Sequence, residues 1–359
     1  MHLAELRIRG LRNITSAELV LAEGLNVFVG PNGAGKTSVL EAAYLLSRGG
    51  SFRTHAAEHL QQREGESLAL FARIRSQSRL RQLGMLREAG RWVARLDGES
   101  SSKLAELFAA SAVMCFEPGS HALVSGGAEG RRGFLDWGVF HVEHGHAERM
   151  RRFRRALRQR NVLLKQNGDE EQLTLWDREL SDAAEPVAQA RETYLARFGQ
   201  ALSLVLEQHL PELGQAVLRH RPGWDRSISL QQALHDCRQR DRALGHTTRG
   251  PHRADWMIAF AHAPSPEQLS RGQEKLCAIA CLLAQVRLFQ ESWGESPIIV
   301  FDDLCSELDV AHQASALGTL IESGAQILLS GTEIPDALRA RFPPQRWFHV
   351  EQGQVCAMI

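Results

Sequence analysis

The chain has 359 residues, 43% of them apolar, enough to bury the core of one large domain or two smaller ones. Its 42 basic and 42 acidic side chains cancel, which excludes a surface coated in positive charge and confines nucleic-acid contact to local patches. Charges inside Met1-His2-Leu3-Ala4-Glu5-Leu6-Arg7 argue against a secretory leader, and no run nears the ~18 apolar residues of a membrane span. The six cysteines are scattered. Cys277 and Cys281, four apart among apolar residues, read as core side chains rather than metal ligands, so a cytoplasmic location is expected.

In chain order, Leu3, Leu6 and Ile8 alternate as in a strand and lead to an expected turn at Gly10. Leu25-Asn26-Val27-Phe28-Val29 reads as a buried strand. A Gly-rich loop follows, then a helix over Ser38-Val39-Leu40-Glu41-Ala42-Ala43-Tyr44-Leu45-Leu46. Strand-like pieces from about residue 66 to a turn at Asp97-Gly98 suggest a sheet added to the core. From Glu148 to Leu210 the period becomes helical. Met150, Phe153, Leu157, Asn161 and Leu164 step by three and four, a break falls at Asn167-Gly168, and Leu173, Trp176, Leu180, Ala183 and Val187 resume the pattern. Two such runs predict an antiparallel helical arm, with Pro186 expected to kink or divide the second. Beyond Pro211, Ser270 to Gln290 reads as a helix, and Ile298-Ile299-Val300-Phe301 and Gln326-Ile327-Leu328-Leu329 as strands.

Three motifs carry chemistry. Gly30-Pro31-Asn32-Gly33-Ala34-Gly35-Lys36-Thr37 fits G-x-x-x-x-G-K-[ST] between a strand and a helix. Glycines let backbone N–H groups wrap a polyphosphate, and the helix start through Ser38 adds its positive end. Lys36 is expected to reach the β- and γ-phosphates of ATP, and the Thr37 hydroxyl to ligate Mg²⁺. The strand Ile298–Phe301 ends in Asp302-Asp303. Asp302 is expected to hold Mg²⁺ and Asp303 to orient the attacking water. Ser270, Gly272 and Gln273, in Leu269-Ser270-Arg271-Gly272-Gln273-Glu274, open a helix whose N-terminus can bind an anion; a plain N-cap explains them equally well.

In this order the motifs, with Ser306-Glu307-Leu308-Asp309 after them, resemble the ABC-ATPase head. That resemblance implies a site shared between protomers: the P-loop of one copy faces the L-S-x-G-Q of another across ATP, giving an ATP-dependent homodimer. Lys36 and Ser270 are 234 positions apart (270 − 36), and the helical insertion between them is similar to the SMC and RecF group. Leu6-Arg7-Ile8-Arg9-Gly10-Leu11-Arg12-Asn13-Ile14, Ser51-Phe52-Arg53-Thr54, Arg131-Arg132-Gly133-Phe134-Leu135-Asp136 and Gly250-Pro251-His252-Arg253-Ala254-Asp255 resemble the RecF family in particular. The resemblance implies DNA repair: binding of duplex or gapped DNA near single-strand/double-strand junctions, partnership with RecR and RecO, loading of RecA, and ATP hydrolysis as a switch. The alternative is an SMC-like head of another DNA-repair complex, which calls for a longer coiled coil or a zinc hook. The resemblance departs at Ser330-Gly331-Thr332-Glu333, where a switch His is usual; slow hydrolysis is therefore expected. Cys115-Phe116-Glu117-Pro118 stands near the usual Q-loop by position only.

The fold class expected is α/β, an ABC-type head with a helical arm inserted between two lobes: residues 1–112, arm 113–210, and 211–359. Arg151, Arg154, Arg155 and Arg158 fall on one helix face at i, i+3, i+4 and i+7. They are candidate DNA-phosphate contacts, or a solvated face paired with acids of the return helix. Arg131 and Arg132 admit the same two readings. His246, His252 and Asp255 match no metal-ligand spacing, and Trp92, Trp224, Trp256 and Trp347 read as core.

Overall fold

A computed structural model describes residues 1–54, 57–61, 67–88, 90–101, 104–143, 145–166 and 168–358. It forms two compact units, Met1–Ser120 with Cys281–Ile359, and His121–Ala280. The first unit opens with β1 (His2–Leu11), β2 (Ile14–Val20), β3 (Leu25–Val29), α1 (Lys36–Arg48), β4 (Leu68–Ser76), β5 (Arg79–Glu88), β6 (Arg91–Leu96), β7 (Glu99–Ser101), α2 (Leu104–Ala109) and β8 (Val113–Phe116). β1 and β2 join β4–β7 in one antiparallel sheet of order β2-β1-β4-β5-β6-β7. Leu68, Leu70, Ala72 and Ile74 of β4 are all buried, the period of two that puts alternate side chains on the core face. Gln77-Ser78 and Asp97-Gly98 have positive φ at both positions, the two-residue turn that suits the twist of paired strands. The turn expected at Gly10 falls instead on Arg12-Asn13. β1 continues through Gly10, whose missing Cβ admits the Ser67 carbonyl, 2.8 Å from where that carbon would stand.

The second unit contains α3 (Ala122–Ser125), α4 (Ala128–Val142), α5 (His146–Lys165), α6 (Glu170–His209), β9 (Ala216–Arg221), α7 (Leu230–Asp236), α8 (Arg238–Leu244), β10 (Asp255–Phe260) and the first part of α9 (Arg271–Trp293). The α5 and α6 helices form the expected antiparallel pair. Met150, Phe153 and Ala156 pack on Leu180, Ala183, Ala184 and Val187, each large apolar side chain contributing roughly 1.5–3 kcal/mol on full burial. The Asp169 carboxylate caps α6 by accepting from the Glu171 and Gln172 amides. Asn167, placed at the break, lies outside the described residues.

Two observations bear on the arm. Pro186 does not divide α6, which runs unbroken for 40 residues. Its ring lies on the exposed face, where water can serve the carbonyl that loses its amide donor. Nor does the compact unit end at residue 210: Trp224, Leu230, Ala233 and Leu234 complete the α5–α6 core, and the unit runs on to Ala280. Trp224 and Trp256 are buried, while Trp92 and Trp347 are half-buried in β6 and β13 (Arg346–Glu351).

After α9 the first unit resumes with β11 (Ile298–Phe301), α10 (Leu304–Glu307), α11 (Val310–Glu322), β12 (Ile327–Gly331), α12 (Asp336–Arg341), then β13 and β14 (Gln354–Met358). The second sheet has the order β14-β13-β3-β12-β11-β8, parallel except at the β14 edge. All four residues of β11 are buried, as a central strand covered on both faces requires. Strands β3, β12, β11 and β8 deliver their C-terminal ends to one edge, the side on which open parallel sheets bind ligands. No helix among the described residues is long and apolar enough to cross a membrane.

Candidate nucleotide site

At that edge the end of β3 passes into the Gly30–Gly35 loop. Gly30 has φ 156°, and a Cβ there would stand 2.0 Å from the Val350 carbonyl oxygen; only glycine lets the loop cross β13 so closely. The first amides of α1 have no acceptor within their own helix, so the loop presents N–H groups at the positive end of the helix. Lys36 folds over it, donating from Nζ to the carbonyls of Gly30 at 2.8 Å and Pro31 at 2.9 Å. Burial lowers its pKa, against the pull of Asp303 and Asp302.

Strand β11 brings in the carboxylates. Asp302 Oδ1 accepts from Thr37 Oγ1 at 2.9 Å and from Ser330 Oγ at 2.7 Å. Burial raises the Asp302 pKa, and the hydrogen bonds from Ser330 and Thr37 oppose that shift. A hydroxyl and a desolvated carboxylate within hydrogen-bond distance are hard oxygen donors, the chemistry Mg²⁺ prefers. Asp303 follows with φ 56°, at the start of α10, and its amide donates to Ser330 Oγ at 3.1 Å. Positive φ is uncommon outside glycine but tolerated by Asp. Together Asn32, Gly33, Ala34, Gly35, Lys36, Thr37, Ser38, Asp302 and Asp303 line one cleft of about 350 Å³ with Arg12, Asn13, Arg53, Pro118 and Ser330.

Of those last residues only Pro118, near the usual Q-loop by position, is given a place by sequence reasoning. Asn13 ties the loop to the helix, donating to the Gly33 carbonyl at 3.0 Å and accepting from Ser38 Oγ at 3.1 Å. Arg12 grips the buried Glu41 of α1 with two nitrogens, and Ser51 donates to the same carboxylate. Ser330 joins Asp302 to the Asp303 amide from the end of β12, in the stretch that lacks a His.

The family model for the RecF/RecN/SMC N-terminal domain matches residues 2–333. The DNA replication and repair protein RecF of Stenotrophomonas maltophilia (strain R551-3) is 45% identical over 364 residues, covering 100% of both chains. The chain belongs to the RecF family. Its fold agrees: a structure of the recombination mediator protein RecF with ATP, in the RecFOR pathway, superposes with a TM-score of 0.90 at 24% identity, over 100% of this chain and 98% of that one. The Smc head domain of Pyrococcus furiosus, at 15% identity over 99% and 96%, reaches 0.59. The fold is that of an ABC-type ATPase head.

Most of the other candidate residues of this RecF-family chain lie in the second unit. Ser270 and Gln273 cap α9 reciprocally: the Gln273 amide donates to Ser270 Oγ at 3.2 Å, and the Ser270 amide to Gln273 Oε1 at 3.0 Å. This is the capping-box arrangement, and it leaves Ser270 and Gly272 exposed. Arg151, Arg154, Arg155 and Arg158 are exposed on α5, and none of the four makes an ion pair among the described residues. Their neighbour Arg152 does pair with Glu179 of α6, at 2.8 Å. Arg131 is buried against Asp255 at 2.7 Å, and Arg132 Nη1 donates to the Ala254 carbonyl; both work inside the unit. Among the described residues no three His, Cys, Asp or Glu could hold a metal together. Cys277 and Cys281 are fully buried. The side chains of Ser306 and Glu307 are outside the described residues.

Proposed function

We propose that this RecF-family chain is a DNA-binding ATPase of recombinational repair that acts in the cytoplasm as an ATP-dependent homodimer. The observation that supports it is the convergence of Lys36, Thr37, Asp302 and Asp303, from two separate segments, on one cleft. In this reading the amides from Gly33 to Ser38 hold the ATP phosphates, with Gly30, Pro31 and Asn32 shaping the turn. Lys36 bonds the β- and γ-phosphates. Thr37 and Asp302 hold Mg²⁺, which neutralises phosphate charge, and Asp303 orients the attacking water. Ser270, Gly272 and Gln273 of a second copy close the site through the exposed start of α9. Arg151, Arg154, Arg155 and Arg158 contact DNA phosphates.

The ATP-bound dimer holds duplex or gapped DNA near a single-strand/double-strand junction, and with RecO and RecR it helps load RecA. Slow, DNA-stimulated hydrolysis opens the dimer and releases the DNA. The test is fluorescence anisotropy on a labelled gapped duplex, with and without ATP. ATP is expected to tighten binding by the parent chain. Lys36→Ala is expected to abolish the ATP effect while its circular dichroism stays that of the parent. A Lys36→Ala variant that binds ATP and DNA as the parent does overturns the assignment of this loop.

A further inference from the structure

Gly250-Pro251-His252-Arg253-Ala254-Asp255 has no part in the reading above, although it stands out in the sequence. In the second unit its Arg253 lines a separate cleft. The Gly250 amide donates to the Gly223 carbonyl at 3.2 Å, and a Cβ on Gly223 (φ 93°) would stand 2.2 Å from the Gly250 carbonyl oxygen. Only glycine lets the two segments cross so closely. The crossing brings the end of β9, α8 and the loop from His246 to Arg253 around a space of about 580 Å³. Its walls carry Arg221, Arg240, Arg249 and Arg253, with His220 and His246, and no Asp or Glu.

The acids nearby are engaged elsewhere. Both Asp241 oxygens are taken, one by buried Arg160 at 2.7 Å and the other by Thr248 at 2.6 Å. Glu185 and Glu192 pair with Arg226. Arg221, Arg240 and Arg249 are exposed and make no ion pair among the described residues. Four like charges drawn together from separate segments repel one another, and in a chain of zero net charge nothing in the average composition requires it; an anionic ligand relieves the repulsion. Guanidinium groups match phosphate oxygens in pairs.

We propose that this cleft binds the sugar–phosphate backbone of a single nucleic-acid strand that has left the duplex. The cleft is a concave space walled by guanidinium groups from three segments of this unit. Positive grooves that track a backbone are the general device for holding single strands. The inference rests on the nucleic-acid reading proposed above and adds a strand type and a location to it.

The test uses the full chain with the triple substitution Arg221→Ala, Arg240→Ala and Arg249→Ala. Binding of an unstructured oligothymidylate, a blunt duplex and inorganic tripolyphosphate is measured across a salt series. Single-strand affinity is expected to fall about tenfold or more. Its log–log salt slope is expected to shrink by up to ~2, about 0.7 for each lost phosphate contact. Duplex affinity stays at the parent value. The corresponding Arg→Lys triple variant, which keeps the charge and loses the planar fork, is expected to recover most of the slope; this separates lost phosphate contacts from lost folding. Unchanged single-strand binding, or an equal loss for duplex and single strand, overturns the inference. Tripolyphosphate competing as strongly as the oligothymidylate would mark a small-anion site and also overturn it. A parent chain that binds no duplex at all counts instead against the nucleic-acid reading.

Discussion

Thr37, Asp302 and Ser330 meet at one carboxylate oxygen, while the neighbouring Asp303 is turned into the cleft by a positive-φ backbone. The two aspartates therefore stand in different surroundings, which fits different roles: one holding a cation, the other a water. Asp303→Asn keeps the shape and removes the charge that orients water. ATP binding is expected to persist, steady-state phosphate release to fall by about 100-fold, within the range usual for a catalytic base, and DNA dissociation to slow. Turnover at the parent rate would remove Asp303 from the chemistry. Lys36, Thr37 and the acidic pair were legible because fixed spacing and a strand–loop–helix setting announce them. Ser330, Asn13 and Arg53 were not legible as site residues, because single polar residues at strand ends and in loops carry no spacing. Glu41 looks like an ordinary helix glutamate until Arg12 and Ser51 are seen on it.

The arm shows what periodicity can and cannot give. Steps of three and four located α5 and α6 and their shared core. They did not show that Pro186 would sit on the solvent face, where α6 tolerates it, nor that Trp224 and Leu234 would complete that core from beyond residue 210. The same periodicity put four arginines on one face of α5, and all four are exposed. Replacing Arg151, Arg154, Arg155 and Arg158 with Ala is expected to weaken duplex binding uniformly across sequences. The log–log salt slope is expected to fall by up to ~4, about one per lost phosphate contact; an unchanged slope favours a merely solvated face.

This unit also carries a pH dependence. Burial lowers the pKa of His146, at the start of α5, and of His252, in the Gly-Pro-His-Arg segment, each from 6.5 to about 4. As pH falls below 6.5 the unfolded chain binds protons that the folded chain refuses, so stability is lost between pH 6.5 and about 4. From pH 7 to 5 the loss is roughly 2 kcal/mol for each histidine. Denaturant titrations at the two pH values check this, and the pair His146→Phe, His252→Gln is expected to remove most of the difference. A double variant that loses as much as the parent would point to other groups.

For the whole molecule, motif order and spacing pointed to the RecF family. The two compact units were not legible in them, because a boundary inside the continuous helix α9 leaves no mark in composition. The proposed function depends on two copies completing each other's sites, and the exposed capping box of Ser270 and Gln273 is the surface assigned to that contact. Ser270→Arg adds a long side chain where, in this reading, the partner's nucleotide would be sandwiched, and leaves the P-loop sequence unchanged. Sedimentation velocity of the parent and of Ser270→Arg, each with and without saturating ATP and Mg²⁺, tests this most directly, with nucleotide titration run beside it. The parent is expected to pass from monomer to dimer on adding ATP, and Ser270→Arg to bind nucleotide yet stay monomeric. A parent that stays monomeric at saturating ATP, or a Ser270→Arg variant that dimerises as the parent does, would contradict the shared-site account.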